Sequence, residues 1–433
     1  MTGKAFAFKN PYVLLSLILL LHIAAWICLK PIAPNGPSDD PFQYAFNARA
    51  LINHNYHSDY LPYPNRFGVF VPVSLIFRLF GENPYTTSLW PLLASLMTIA
   101  LVFLFLKKTA GTYIAALAAF LVAVNIQQVA YSLELYPDLI VSFYAIAAVL
   151  TLYYGRERSE RKAGPAILLQ LILVLGFLTK ETIVLLGPFL LLVLIVDLVQ
   201  KKHHLFWKWT LGFSILSVLL LLGFYYRLTG DPFYRIRAIS DLLQYRILDA
   251  DMSKSITDVN SSNVLIWLNH NLAYVFLLVF SIPAFVSSLK EKWSSVKTYM
   301  AAYAALMLVQ LLVIFHTPKM GIIYMQDRHW MFLIAPLAVL SASFISNADK
   351  KYLSLVIGIF LALCVFNYFE LGGMRALLFF LFLSASLVCY FLKQSRSLVL
   401  LIPFLVLLAY FVYSNSNFRA ANASRTMNIQ NQK

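Results

Sequence analysis

The sequence predicts an all-α polytopic membrane protein, and three observations carry that prediction. Sixty per cent of its 433 residues are hydrophobic and 12% are charged, about half the charge that a water-soluble domain carries. The apolar residues gather in runs long enough to cross a ~30 Å hydrocarbon layer. Those runs show no period-2 alternation, so helices rather than barrel strands must satisfy the backbone where no water reaches it. The composition excludes a soluble enzyme, and mean hydropathy is +0.73. A net charge of +15 raises the question of nucleic acid. The cations sit in short loops between apolar runs, so no nucleic-acid partner is expected.

In chain order the expected spans are 11–30, 85–106, 113–131, 138–154, 165–179, 182–199, 208–226, 266–289, 298–315, 329–346, 352–369, 374–392 and 397–413, thirteen in all. The first run follows Lys4 and Lys9 but lacks a small-x-small cleavage site, which predicts a retained helix rather than a signal peptide. Cys28, Cys364 and Cys389 lie far apart in apolar segments without a C-x-x-C pair and read as small core residues. One transmembrane domain over 1–433 accounts for the whole chain.

Orientation follows from charge. With the N-terminus in the cytoplasm, the cytoplasmic segments hold Lys4, Lys9; Lys107, Lys108; Arg156, Arg158, Arg161, Lys162; Lys201, Lys202, Lys208; Lys290, Lys292, Lys297; Lys350, Lys351; and Lys393, Arg396, which is 18 of the 34 Lys and Arg. This is the positive-inside pattern. Two outer stretches, 31–84 and 228–265, are too long for mere connections, and the polar tail 414–433 is also placed outside. Recognition or chemistry is expected on that face. Within the first stretch, Phe42, Ala45, Phe46, Ala48, Leu51 and Ile52 fall on a helical spacing, which predicts an amphipathic interfacial helix; 67–80 predicts a second. No internal repeat or inverted pair of broken spans occurs, which weighs against an ordinary secondary transporter.

Four outer sites could carry chemistry. Ser38-Asp39-Asp40-Pro41-Phe42-Gln43-Tyr44 sets two carboxylates at the membrane surface, a candidate general base and a candidate metal ligand. The same residues also read as a helix N-cap before proline. Glu134-Leu135-Tyr136-Pro137-Asp138 is a second acidic set on the same side, or a pair of loop acids capping the next span. Lys180-Glu181 interrupts an apolar run, where charges are functional or mutually paired, the plainer case being a hairpin turn. Arg328-His329-Trp330 opens the tenth span; its guanidinium suits a phosphate, or else snorkels to the interface. Weaker patterns carry less: His54-Asn55-Tyr56-His57 lacks a third zinc ligand, Asp249-Ala250-Asp251 is a D-x-D on the wrong face for nucleotide sugars, and Asn260 and Asn422 head chance-level sequons. No phosphate-binding glycine loop occurs, so ATP- or NAD-driven chemistry has no support.

These elements together resemble the integral-membrane GT-C glycosyltransferases, especially the polyprenyl-phosphate-sugar mannosyl-, galacturonosyl- and aminoarabinosyl-transferase group. The likeness rests on Asp40 four residues before Tyr44, a helix ending in Ala48-Arg49, the run 66–81 ending Leu-Phe-Gly, Pro137-Asp138 opening a span, Gly176-Phe-Leu-Thr-Lys-Glu181, and an Arg at the start of a Leu- and Pro-rich span. The resemblance implies a GT-C-like bundle of about 13 helices with interfacial helices in the first outer loop. It implies an enzyme that moves a sugar from a polyprenyl-phosphate carrier to a lipid, glycan or protein acceptor, with inversion, on the outer face of a bacterial inner membrane. Asp40 then matches the catalytic carboxylate with Asp39 beside it, and Pro41 stands where many members have Glu, which leaves a divalent metal at Asp39 or Asp138 open. Asp138 matches a second acidic site, with Glu134 expected to bind substrate near it, Lys180 and Glu181 match the Lys-rich turn, and Arg328 the carrier-phosphate contact, with His329 in place of a frequent Tyr. Tyr44 and Arg66 are expected beside the substrate. The rival from another class is a lipid-linked-glycan flippase or polymerase-like protein, which would want ionisable residues mid-span.

Overall fold

The structure, a computed structural model, describes residues 10–34, 39–57, 63–157, 160, 162–241, 272–316 and 327–348. The expected spans 352–369, 374–392 and 397–413, the tail 414–433, most of the second long loop with its D-x-D, and both sequons lie outside the described residues. So do Cys364 and Cys389. The regular structure of the described residues is all helical, with no strand among them. Seven helical stretches among them are long and apolar enough to cross a membrane, with four shorter apolar helices beside them.

Helix α1, Pro11–Leu29, starts where Asn10 accepts from the Tyr12 amide at 2.9 Å and Pro11 fills the first turn, the preferred chemistry at a helix N-terminus. Helix α2, Asp40–Ile52, buries Pro41, Tyr44, Ala45 and Ala48, a stripe at i, i+3, i+4, i+7. Phe46, expected on the apolar face, points outward instead. Helix α3, Phe67–Phe80, buries Val69, Phe70, Val73 and Phe77 and leaves Leu75, Leu79 and Phe80 exposed. A capping box of Asn83 and Thr86 opens α4, Pro84–Thr109, whose last turn carries Lys107 and Lys108, where cations suit the helix dipole.

The expected single span over 113–131 divides. Helix α5, Thr112–Ala123, stops at Val124, and Asn125 accepts from the Gln127 and Gln128 amides to start the short α6, Ile126–Ala130. An orphaned helix carbonyl in an apolar setting needs a donor. His22 on α1 supplies it, with Nδ1 2.8 Å from the Ala123 carbonyl. Because a carbonyl only accepts, Nδ1 carries the proton; Nε2 then accepts from Ser95 Oγ at 2.8 Å, and Ser95 accepts from Gln128 Nε2 at 2.9 Å.

Helices α7, Pro137–Glu157, and α8, Ala163–Thr179, form an antiparallel pair. A 3-10 turn over Glu181–Leu186 leads into α9, Gly187–Val199, and α10 spans His204–Thr229. The last described helices are α11, Leu272–Ser288, α12, Val296–His316, and α13, Met331–Asn347, the last preceded by a 3-10 turn over Asp327–Trp330. Helices α7 and α13 are buried along most of their length. Their alanines, among them Ala145, Ala148, Ala338 and Ala342, let neighbours approach closely where no hydrophobic effect drives helices together. Helix α10 instead presents Leu211, Ile215, Leu219 and Leu220 outward, as a lipid-facing helix does.

The far end of α7 holds a second polar cluster. Arg156, read from sequence as a loop cation, is buried and makes a bidentate pair with Asp197 of α9, and Trp207 of α10 donates to Asp197 Oδ2 at 2.6 Å. Lys162 donates to the Gly155 and Arg156 carbonyls at 3.0 and 2.8 Å, satisfying the C-terminal carbonyls of α7.

Candidate functional site

The site is built at the ends of helices, where apolar packing stops and polar groups can meet water. Asp39 occupies the N-cap position of α2 with extended backbone, yet its carboxylate makes no capping bond. The Tyr136 hydroxyl donates to its Oδ1 at 3.4 Å instead. Asp40 opens the helix and is held from both sides. The Tyr63 hydroxyl donates to Oδ1 at 2.8 Å, and Arg328 Nη1 donates to Oδ2 at 2.9 Å. The Arg328 guanidinium lies over the Tyr136 ring, 5.0 Å from its centroid, and its buried Nε has no hydrogen-bond partner. Arg328 therefore does not snorkel.

Asp138, in the first turn of α7, is buried; Lys180 Nζ donates to its Oδ1 at 2.6 Å, and His329 Nδ1 lies 3.4 Å from the same oxygen. Lys180 and its neighbour Glu181 thus take separate partners rather than closing a turn on each other. Glu181 accepts from Arg66 Nη2 at 2.7 Å and from Arg235 Nη2 at 3.0 Å. Arg66 also donates to the Tyr44 hydroxyl. Every candidate site residue of the sequence therefore falls in this neighbourhood: Asp39, Asp40, Tyr44, Arg66, Glu134, Asp138, Lys180, Glu181, Arg328 and His329.

The electrostatics follow from burial and neighbours. Burial first, and Asp39 second, push the Glu134 carboxyl up to about 7. Burial also raises the Tyr136 and Tyr44 phenols well above their usual range, so both remain hydrogen-bond donors. For Arg66, burial opposes the charge, but Glu181 and then Tyr44 outweigh it and hold the guanidinium above its ordinary value.

The donor set does not fit a divalent ion at Asp39 and Asp138. Asp138 is already matched by the ammonium of Lys180 and faces His329 and Arg328, and added positive charge there is repelled. Among the described residues no three His, Cys, Asp or Glu groups gather at ligand spacing. The histidine pair His54 and His57 stays a loop feature, with His54 in the left-handed region at φ 58°.

Comparison with solved structures decides the architecture. The chain superposes on ArnT from Cupriavidus metallidurans bound to undecaprenyl phosphate with a TM-score of 0.59 at 13% identity, covering 93% of this chain and 75% of that one. The chain has the GT-C fold. An archaeal oligosaccharyltransferase, AglB from Archaeoglobus fulgidus in complex with an inhibitory peptide and a dolichol-phosphate, matches with a TM-score of 0.54 at 14% identity, over 84% of this chain and 56% of that one. Residues 68–225 match the model of the dolichyl-phosphate-mannose-protein mannosyltransferase family. No curated protein sequence matches the chain.

The matched residues include Asp138, Lys180 and Glu181 of the candidate site, while Asp39, Asp40, Arg66, Arg235 and Arg328 lie outside them. Three participants had no expected role. Arg235 lies in the short helical segment 234–241 that follows α10, and its only signal is an arginine six residues past an aromatic-rich helix end. Tyr63 and Tyr136 are two of 25 tyrosines; Tyr136 stood inside a motif singled out for its acids.

Proposed function

We propose that the protein is a glycosyltransferase that takes a sugar from a polyprenyl-phosphate carrier and passes it, with inversion, to an acceptor at the outer face of the membrane. The observation that carries this reading is the contact between Asp40 and Arg328, a proton acceptor and a phosphate-binding guanidinium joined at the water-exposed end of a bundle. When the donor enters, its phosphate takes Arg328, whose unpartnered Nε adds a second donor, and Asp40 Oδ2 is released to the acceptor hydroxyl. That hydroxyl oxygen attacks C1 of the sugar as its proton passes to Asp40. The bond from C1 to the phosphate oxygen breaks on the opposite face. The departing phosphate gains charge, which Arg328 and Lys180 stabilise, and Asp138 holds Lys180 in place. Asp39, Tyr44, Glu134, Arg66 and His329 shape the substrate surface around these groups. The prenyl chain lies against the apolar helix faces.

A flippase would need polar or ionisable groups along a path through the spans. In the described spans the ion pairs gather at the two ends of α7, which favours chemistry at one end. The deciding experiment incubates purified protein with a panel of radiolabelled polyprenyl-phosphate sugars and a membrane extract. Transfer of label from at least one carrier to a new product is expected, and no movement from any donor would sink the proposal.

A further inference from the structure

The loop before α7 is fixed more firmly than a connection between two helices requires. Trp26 Nε1 donates to the Ser132 carbonyl at 3.1 Å, and the Ile32 amide donates to the Leu133 carbonyl at 3.1 Å, so the end of α1 grips the loop twice. The Tyr136 amide closes on the Glu134 carbonyl at 2.8 Å, and the Tyr131 ring meets Tyr136 edge-on with centroids 5.8 Å apart. Beside Glu134, the anchored loop presents Tyr136 to the site. Its ring lies beneath the Arg328 guanidinium and its hydroxyl points to Asp39.

We propose that Tyr136 is a positioning residue of this site: its ring carries the Arg328 guanidinium and its hydroxyl holds Asp39, so one side chain sets the spacing between the phosphate contact and the acidic pair. This rests on the glycosyltransferase reading of the site. Arginine is a long side chain whose rotamers are costly to fix, and a desolvated aromatic face holds a guanidinium in one plane. With Asp40 pinned at its other oxygen by Tyr63, the ring decides where Arg328 stands when the phosphate replaces Asp40. The phenol, raised by burial, keeps its proton as a donor to Asp39.

The test compares Tyr136→Phe, Tyr136→Leu and Tyr136→pentafluorophenylalanine in the full chain. It reads donor KM and kcat, binding of the polyprenyl phosphate itself, and thermal unfolding. The Phe variant keeps the ring face and is expected to hold donor KM within about twofold, whereas losing the cation–π contact in the Leu and fluorinated variants raises it roughly tenfold. The fluorinated ring has nearly the shape of Phe with its face electrostatics inverted, so a purely structural role predicts equal donor KM for those two. Equal values, or a wild-type donor KM in Tyr136→Leu, would overturn the inference while leaving the site's reading intact. A wild-type protein that neither binds polyprenyl phosphate nor transfers sugar overturns both.

Discussion

In the proposed reaction Asp40 is the residue on which the chemistry turns, and its two bonds make it testable. Asn keeps the size and hydrogen bonding of Asp but accepts no proton, so Asp40→Asn should insert and fold normally while transfer falls by ~10²–10⁴-fold. Asp39→Asn should cost less, because Asn can still accept from the Tyr136 hydroxyl that donates to Asp39. Full activity in Asp40→Asn with loss only in Asp39→Asn or Asp138→Asn would move the base to another carboxylate. For Arg328, replacement by Ala should raise donor KM more than replacement by Lys, since Lys keeps the charge and loses the fork. Glu134 gives a pH signature. Its carboxyl binds a proton up to about pH 7 in the fold and up to 4.5 when unfolded; the native state therefore holds more protons in that window, and stability falls as pH rises through it. Glu134→Gln should flatten that slope in thermal unfolding of the detergent-solubilised protein. The acids and cations of the site were legible in the sequence because each interrupts or flanks an apolar run, where a charge is conspicuous. Their pairing was not. Asp40 meets Arg328 across 288 residues, and nothing local in either motif names the other. Tyr63 and Arg235 stayed hidden because tyrosines and arginines in short segments between spans are unremarkable by type.

At the level of elements, the position of Lys180 depends on how closely α3 crosses α8. A Cβ on Gly68 would stand 2.8 Å from the Thr179 backbone nitrogen, nearer than packed atoms can sit, and the Trp90 indole donates to the Gly68 carbonyl at 3.0 Å. The crossing therefore requires glycine. Gly68→Ala should push the Thr179–Lys180 turn away from Asp138, lowering transfer at least tenfold while the helices still form, an overpacking effect of about 1–3 kcal/mol. Unchanged activity and melting temperature would show that the turn gives way freely. The helices themselves were largely readable, since apolar runs, Asn caps and prolines mark their ends. The division of 113–131 into α5 and α6 was not, because the run contains no glycine or proline. Asn125 is its one local sign, and the partner that completes the break, His22, lies 101 residues away.

Across the whole molecule, α7 joins two polar clusters about 30 Å apart, at 1.5 Å per residue. The cluster of Arg156, Asp197 and Trp207, at the end of α7 away from Asp138, contains a buried pair of the kind that is costly to break from one side only. Asp197→Asn should lower stability by about 3–5 kcal/mol, and an Arg156→Met/Asp197→Leu double variant should recover most of it. If the single and double variants melt alike, the pair contributes no net strut. Orientation is open to direct test: in a background without native cysteines, a Cys at position 40 should label only from outside and one at 160 only from the cytoplasm. The reverse pattern would invert the topology and remove the outer-face reading.

The clasp between Asp40 and Arg328 also has a consequence in time. A ribosome adding ~5–20 residues per second needs roughly a quarter of a minute to a minute to proceed from residue 40 to residue 328. Throughout that interval α1 and α2 have emerged and the arginine that will neutralise Asp40 has not been made. An acid awaiting its counter-ion cannot be stored in hydrocarbon, so the acidic pair must sit in a water-bathed turn beside the first helix until residue 328 has been made. A nascent chain arrested before residue 328 would carry an unclasped acidic turn, a mark by which immature copies differ from finished ones.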